Sequence, residues 1–141
     1  MSYYSESGAQ QVAILLHSGS YDRVTNALSL ASVCMAMNME VTILLTYEGI
    51  RRFIKDGSED PGRTDEELMG MIQKGIDGEN IRSIRDKLTG AKELGLRLFA
   101  CTNAMSIMGL TLEDMVEEVD DLMGLATFIQ FARNASINWY I

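Results

Sequence analysis

The chain is poor in the residues from which recognisable sites are most often built. It has two cysteines and one histidine in 141 residues. Two cysteines do not make a disulfide framework, so free thiols are expected, as in a reducing cytoplasm. No C-x-x-C or H-E-x-x-H spacing occurs, which argues against a metal site. Neither G-x-G-x-x-G nor G-x-x-x-x-G-K-[ST] is present, and no G-x-S-x-G elbow marks a hydrolase, so no cofactor is expected. Lysine and arginine number 12 against 20 acidic residues, a net charge of −8. That balance argues against nucleic-acid or anionic-membrane partners, which need a basic footprint, and suits a partner with a basic patch. No apolar run approaches the ~18–20 residues that span a bilayer. The opening Met1-Ser2-Tyr3-Tyr4-Ser5-Glu6-Ser7-Gly8 has neither a basic region nor an apolar core. It reads as a flexible tail over residues 1–10 rather than a signal peptide, and the protein is expected in the cytoplasm.

What remains has globular composition: 47% hydrophobic and 23% charged residues, enough chain for one domain with a real core, residues 11–141. Gln11–His17 is an apolar run of the kind that forms a strand covered on both faces. Asp22 is a candidate N-cap for a helix over Arg23–Asn38, with Val24, Ala27, Leu28, Ala31 and Met35 at helical spacing. Glu40–Thr46 is a second strand, so the opening is a βαβ unit with a right-handed crossover. A short helix through Lys55 and a loop over Asp56–Arg63, which holds the only proline, Pro61, follow. Thr64-Asp65-Glu66-Glu67 has the form of a capping box opening a Met-rich helix that Asp77-Gly78 ends. Ile81–Leu94 reads as a second crossover helix closed by Gly95. A strand ending at Ala100, a short helix from Thr111, a strand over Val116–Asp121, a helix over Gly124–Asn134 and a strand over Ile137–Ile141 complete the chain. The expected fold is α/β: a single doubly wound layer of about five mostly parallel strands with helices on both faces.

In such a sheet ligands bind beyond the carboxyl ends of the strands. That edge collects His17, Ser18 and Gly19 after the first strand, Thr46, Tyr47 and Glu48 after the second, and Cys101, Thr102 and Asn103 after the third. Asp120 and Asp121 are expected after the fourth. Cys101 is the leading candidate. It closes an apolar strand and precedes small polar residues that can begin a helix, where free amide N–H groups and the helix dipole favour a thiolate nucleophile. Thr102 is a candidate cap of that helix, and the Asn103 and Ala104 amides would face the sulfur. Cys34, within the apolar stripe of the first helix, reads as core. His17 is a candidate hydrogen-bond partner or base for Cys101, and Arg51 and Arg52 are candidates to meet an anion. The ten methionines, including Met105 and Met108 near Cys101, read as flexible core or contact surface rather than as metal ligands. Six carboxylates in the nine residues Glu113–Asp121 read as a solvated face, with a docking patch for a basic partner as the sharper alternative.

Several of these segments together resemble the DsrE/DsrF-like family of small sulfur-handling proteins. They are Ala13-Ile14-Leu15-Leu16-His17-Ser18-Gly19, the helix with Arg23, Asn26, Ala27 and Leu28, and Glu40–Leu45 leading to Glu48-Gly49-Ile50. The strongest is Glu93-Leu94-Gly95-Leu96-Arg97-Leu98-Phe99-Ala100-Cys101, followed by Met105 and Met108-Gly109-Leu110. The Met-rich middle is similar to that family's longer subgroup, some members of which are called peroxiredoxin-like. Cys101 lacks the P-x-x-x-T-x-x-C context of a peroxidatic cysteine. The resemblance implies that Cys101 carries sulfane sulfur, as a persulfide or a thiosulfonate. It implies exchange with a small carrier protein, a rhodanese-like partner or a thiosulfate-type molecule, and assembly into a homo-trimer or hexamer. The function expected is that of a sulfur carrier of the sulfurtransferase type. The reading from another class is a non-catalytic oligomeric module that binds a ligand or a protein, with an incidental cysteine.

Overall fold

The computed structural model describes residues 8–141, so most of the expected tail lies outside the described residues. The elements are β1 (Gln11–Leu16), α1 (Tyr21–Ala36), β2 (Glu40–Leu45), α2 (Glu48–Arg51), α3 (Glu66–Asp77), α4 (Ile84–Glu93) and β3 (Arg97–Cys101). They continue with α5 (Thr102–Ile107), a single 3-10 turn (Leu112–Asp114), β4 (Asp121–Met123), α6 (Leu125–Ala132) and β5 (Ile137–Tyr140). The five strands form one sheet in the order β4-β3-β2-β1-β5, and every pairing is parallel.

The apolar runs explain this arrangement. Val12, Ala13, Ile14 and Leu16 of β1 and Val41 through Leu45 of β2 are all buried, which needs cover on both faces of the sheet. α1 packs against α4 and against β1 and β2, while α6 packs on β1. The chain steps from β1 to β4 in one direction and then returns past β1 to β5. With right-handed crossovers, that reversal puts α6 on the face opposite α1 and α4. Gly95 ends the α4 connection with φ +103°, a conformation open to a residue without Cβ.

Several local expectations are corrected. Ser20, not Asp22, is the N-cap of α1, and Asp22 lies in the first turn. Asp65 caps α3 by accepting from the Leu68 amide. Thr64 is diverted to a tertiary contact, its Oγ1 accepting from the Tyr21 amide at 2.7 Å. Cys101 occupies the N-cap position of α5, so Thr102 is the first helical residue. α2 stops at Arg51, and α4 starts at Ile84 behind a Ser83 cap. The expected strand over Val116–Asp121 is mostly irregular, because Val119 turns back to bond the Val116 carbonyl. Strand pairing begins only at Asp121. Asp120 and Asp121 therefore sit at the start of β4, at the amino edge of the sheet, where Asp120 accepts from the Leu98 amide and from Lys92. The acidic run is not one solvated face either: Glu118 is buried and paired with Arg85.

Candidate functional site

The parallel register aligns the carboxyl ends of the three central strands. Leu16 pairs with Leu45, Leu45 with Ala100, and Cys101 with Met123. One residue further on, His17, Thr46 and Cys101 stand on neighbouring strands at the same level. Strands are spaced about 4.8 Å apart, so the His17 and Cys101 backbones are separated by roughly 10 Å, with β2 between them.

Cys101 ends β3 and caps α5 in extended geometry, φ −63° and ψ 119°. The Cys101 side chain makes no cap hydrogen bond to this helix, so among the described residues its first amides, those of Thr102, Asn103 and Ala104, have no capping side-chain acceptor. Cys101 is only 2% exposed, and Ala104 and Met105 behind it are fully buried, whereas Thr102 and Asn103 are on the surface. Both cysteines are free thiols. Burial pushes the Cys34 thiol up from its ordinary value, which matches an inert core residue.

The other candidates gather around a separate cavity of about 350 Å³. His17, Ser18, Gly19 and Ser20 line it from the loop after β1, Arg23 from the first turn of α1, and Glu48, Arg51 and Arg52 from the segment after β2. Gly57, Asp60, Gly62 and Arg63 close it from the long loop. Cys101 is not among its lining residues. His17 faces aromatic neighbours instead of the thiol: its ring lies 5.9 Å from Tyr140, stacked, and 5.9 Å from Tyr47, tilted.

Two glycines let the first two loops touch. A Cβ on Gly49 would lie 2.2 Å from the Leu16 carbonyl oxygen, and one on Gly19 would lie 2.3 Å from that of Glu48. The Gly49 amide donates to the His17 carbonyl at 3.0 Å across this contact. Between them Tyr47 is held at φ +47°, a region costly for a side chain with a Cβ and often found at functional loops.

The two arginines singled out from the sequence do different work. Arg51 is exposed and only loosely paired with Glu48 at 3.8 Å. Arg52 is 4% exposed and clamps three segments. It donates to the Gly19 carbonyl at 2.6 Å through one terminal nitrogen. Its other terminal nitrogen donates to the carbonyls of Ser58 at 3.2 Å and of Asp60. The guanidinium also lies 5.3 Å from the centre of the Tyr21 ring. Burial lowers the Arg52 pKa from its ordinary value, opposed by the charges of Asp60, Tyr21 and Glu59. Tyr21 in turn donates to Glu59 at 2.6 Å and accepts from the Ile84 amide. Burial, followed by that bond to Glu59, pushes its pKa up to about 12. The loop over residues 57–63 is thereby strapped across the start of α1.

Arg23 and Arg63 were not among the sequence candidates. Arg63 joins the cavity through a loop closure that nothing local announces. Arg23 did leave a signal, since a cation in the first turn of a helix opposes the dipole and calls for a local reason. No group of histidine, cysteine and carboxylate side chains able to hold a metal ion occurs among the described residues. No described helix is long and apolar enough to cross a membrane.

The fold is shared with solved proteins. A protein of unknown function, MTH1491 from Methanobacterium thermoautotrophicum, superposes with a TM-score of 0.65 at 15% identity, over 94% of this chain and 99% of that one. The YchN protein from E. coli gives a TM-score of 0.60 at 12% identity over the same shares. Among curated proteins, the uncharacterized protein YrkE of Bacillus subtilis (strain 168) is 26% identical over 156 residues, spanning 94% of this chain and 97% of its own. The family model of the DsrE/DsrF/DrsH-like family matches residues 62–140, more than half of the chain and the part that contains Cys101. On that match, the protein belongs to the DsrE/DsrF/DrsH-like family.

Proposed function

We propose that this protein is a sulfur carrier of the sulfurtransferase type, with Cys101 as the loaded residue. The observation that carries this reading is the position of Cys101: the last residue of a central parallel strand and the N-cap of the next helix, inside the family-matched segment. The thiolate attacks the outer sulfur of a persulfide donor. A new S–S bond forms, the donor's thiolate leaves, and Cys101 holds a persulfide. An acceptor thiolate then attacks the terminal sulfur and releases the Cys101 thiolate. With tetrathionate the same attack expels thiosulfate and leaves a thiosulfonate on Cys101. The uncapped Asn103 and Ala104 amides supply hydrogen-bond donors for the anionic sulfur. Burial of the residue shelters such an adduct from bulk solvent.

The test is intact mass of the reduced protein after incubation with sodium tetrathionate or inorganic polysulfide, beside Cys101→Ser. Gains of about 112 or about 32 Da, reversed by dithiothreitol and absent from the variant, are expected. An unmodified protein with a Cys101 still open to alkylation refutes the carrier role. The separation of the arginine-lined cavity from Cys101 favours one second reading, a ligand-binding module, which such a result would leave standing.

The carrier is further proposed to act in the cytoplasm, to exchange sulfur with a small carrier or rhodanese-like protein, and to form a homo-trimer or hexamer. Apolar side chains exposed on three helices support assembly: Leu68 and Met71 on α3, Ile107 on α5, and Leu125 and Ile129 on α6. A monomer by light scattering at micromolar concentration would refute it.

A further inference from the structure

Four of the chain's eight arginines (Arg23, Arg51, Arg52 and Arg63) line the cavity beyond β1 and β2. Two carboxylates, Glu48 and Asp60, share that lining, and Glu59 acts on Arg52 from behind it. A local excess of cations in a chain of net charge −8 needs a reason, because like charges gathered in a concave site repel one another. The carboxylates do little to relieve it. Glu48 is 3.8 Å from Arg51, and Asp60 turns one oxygen to the Gly62 amide. Arg52 is spent on backbone carbonyls. Among the described residues, Arg23 and Arg63 have no hydrogen-bond or ion-pair partner. The cavity also receives the start of the 16-residue helix α1, whose Ser20 cap makes no side-chain bond to the helix. Ser20 Oγ is instead within 3.1 Å of Ser18 Oγ.

A second cavity of about 300 Å³ adjoins it and shares His17, Ser18 and Arg23, adding Tyr140 and Ile141. Tyr140 is 70% exposed and stacked with His17, so a flat apolar face stands next to the cationic pocket. Together the two volumes fall within the size range of small-molecule sites.

We infer that this double cavity binds a small phosphorylated molecule bearing a planar ring, independently of Cys101. The phosphate is held by Arg23, Arg51 and Arg63, whose planar guanidinium forks match its oxygens, and by the hydroxyls of Ser18 and Ser20. The ring lies against Tyr140 and His17. Arg52 is a positioning residue that keeps the loop over residues 57–63 in place. This cradle is made of side chains, which is why no glycine-rich phosphate signature marks it in the sequence.

Calorimetric titration at low ionic strength with inorganic phosphate, AMP and adenosine tests the assignment. Phosphate and AMP are expected to bind and adenosine to bind far more weakly. The double variant Arg23→Gln/Arg63→Gln, which changes two exposed side chains, is expected to keep the wild-type circular dichroism and lose about tenfold or more in affinity for both anions. Tyr140→Ala is expected to weaken AMP and leave phosphate unchanged. No heat with either anion at millimolar concentration overturns the site, as does a double variant that binds like wild type. Adenosine binding as tightly as AMP, or AMP binding untouched by Tyr140→Ala, overturns the ligand class. Binding is read by calorimetry and sulfur loading by mass, so either result can fail without the other.

Discussion

Replacing Arg52 with leucine should destabilise the protein by about 2–4 kcal/mol, and the structure shows where the loss comes from. The guanidinium holds the carbonyls of Gly19, Ser58 and Asp60, joining the loop after β1 to the loop over residues 57–63. Hydrogen bonds to a charged donor contribute roughly 1.5–3 kcal/mol each, so three anchored carbonyls give a gross loss of roughly 5–9 kcal/mol. Two effects offset part of it. Asp60 is exposed and Gly19 and Ser58 are half-buried, so water reaches the freed carbonyls. Leucine also avoids the several kcal/mol that desolvating a guanidinium costs. Arg52→Lys should lose less, because an ammonium keeps the attraction to the Tyr21 ring but cannot span three acceptors in one plane. Urea unfolding followed by far-ultraviolet circular dichroism measures this directly. With a slope of about 1–3 kcal/mol per molar, a loss near 3 kcal/mol lowers the midpoint by about 1 M or more. Arg51→Leu serves as the control, since an exposed side chain with one loose partner should change stability by less than about 0.5 kcal/mol. If the Arg52→Leu and Arg51→Leu midpoints coincide, Arg52 is not a structural clamp and its charge is free for a ligand.

Three further outcomes are expected. Thr42 is buried in β2 and its hydroxyl has no hydrogen-bond partner among the described residues, so Thr42→Val should stabilise by about 1 kcal/mol and raise Tm by about 3 °C. A lower Tm would mean the hydroxyl is satisfied after all. Gly49→Ala should destabilise by about 2 kcal/mol or more, because its Cβ would run into the backbone carbonyl of Leu16; an unchanged urea midpoint would show that the two loops are not in fixed contact. The folded-state pKa of Tyr21 is about 12, above its ordinary value of 10.0. Its contribution to stability is therefore fully present below pH 10 and is lost as pH rises from about 10 to 12, where the unfolded chain releases the proton first. Urea midpoints across that range should fall more steeply for wild type than for Tyr21→Phe, and parallel curves would contradict the burial of the Tyr21 hydroxyl and its bond to Glu59.

The sequence alone determined the layer architecture, because burial on both faces writes itself into short stretches of chain. Val12–Leu16 and Val41–Leu45 could only be covered strands, and a parallel pair with a helix between them has one hand. Cys101 was legible for the same reason: an apolar run that stops at a cysteine before small polar residues is a strand end meeting a helix start. Caps were less legible. Thr64 has the right neighbours to cap α3, yet it bonds Tyr21, 43 positions earlier in the chain. The strand expected over Val116–Asp121 misled because Met115 and Val119 are buried without joining the sheet, and apolar burial does not by itself distinguish a strand from a packed loop.

Only the tertiary structure decided how the site residues divide. Arg51 and Arg52 are adjacent in sequence, but the chain turn after β2 leaves one in solvent and folds the other beneath a loop that arrives later. His17 and Cys101 share an edge of the sheet, yet the strand order places β2 between them and gives His17 to the two tyrosines. Arg23 and Arg63, 40 positions apart in the sequence, meet at one cavity because Tyr21, Glu59, Thr64 and Arg52 tie the long loop to the start of α1. Periodicity and local motifs record what a residue's near neighbours require. Which charges converge on a cavity depends on loop closure, and loop closure is fixed by contacts between residues that no sequence window contains.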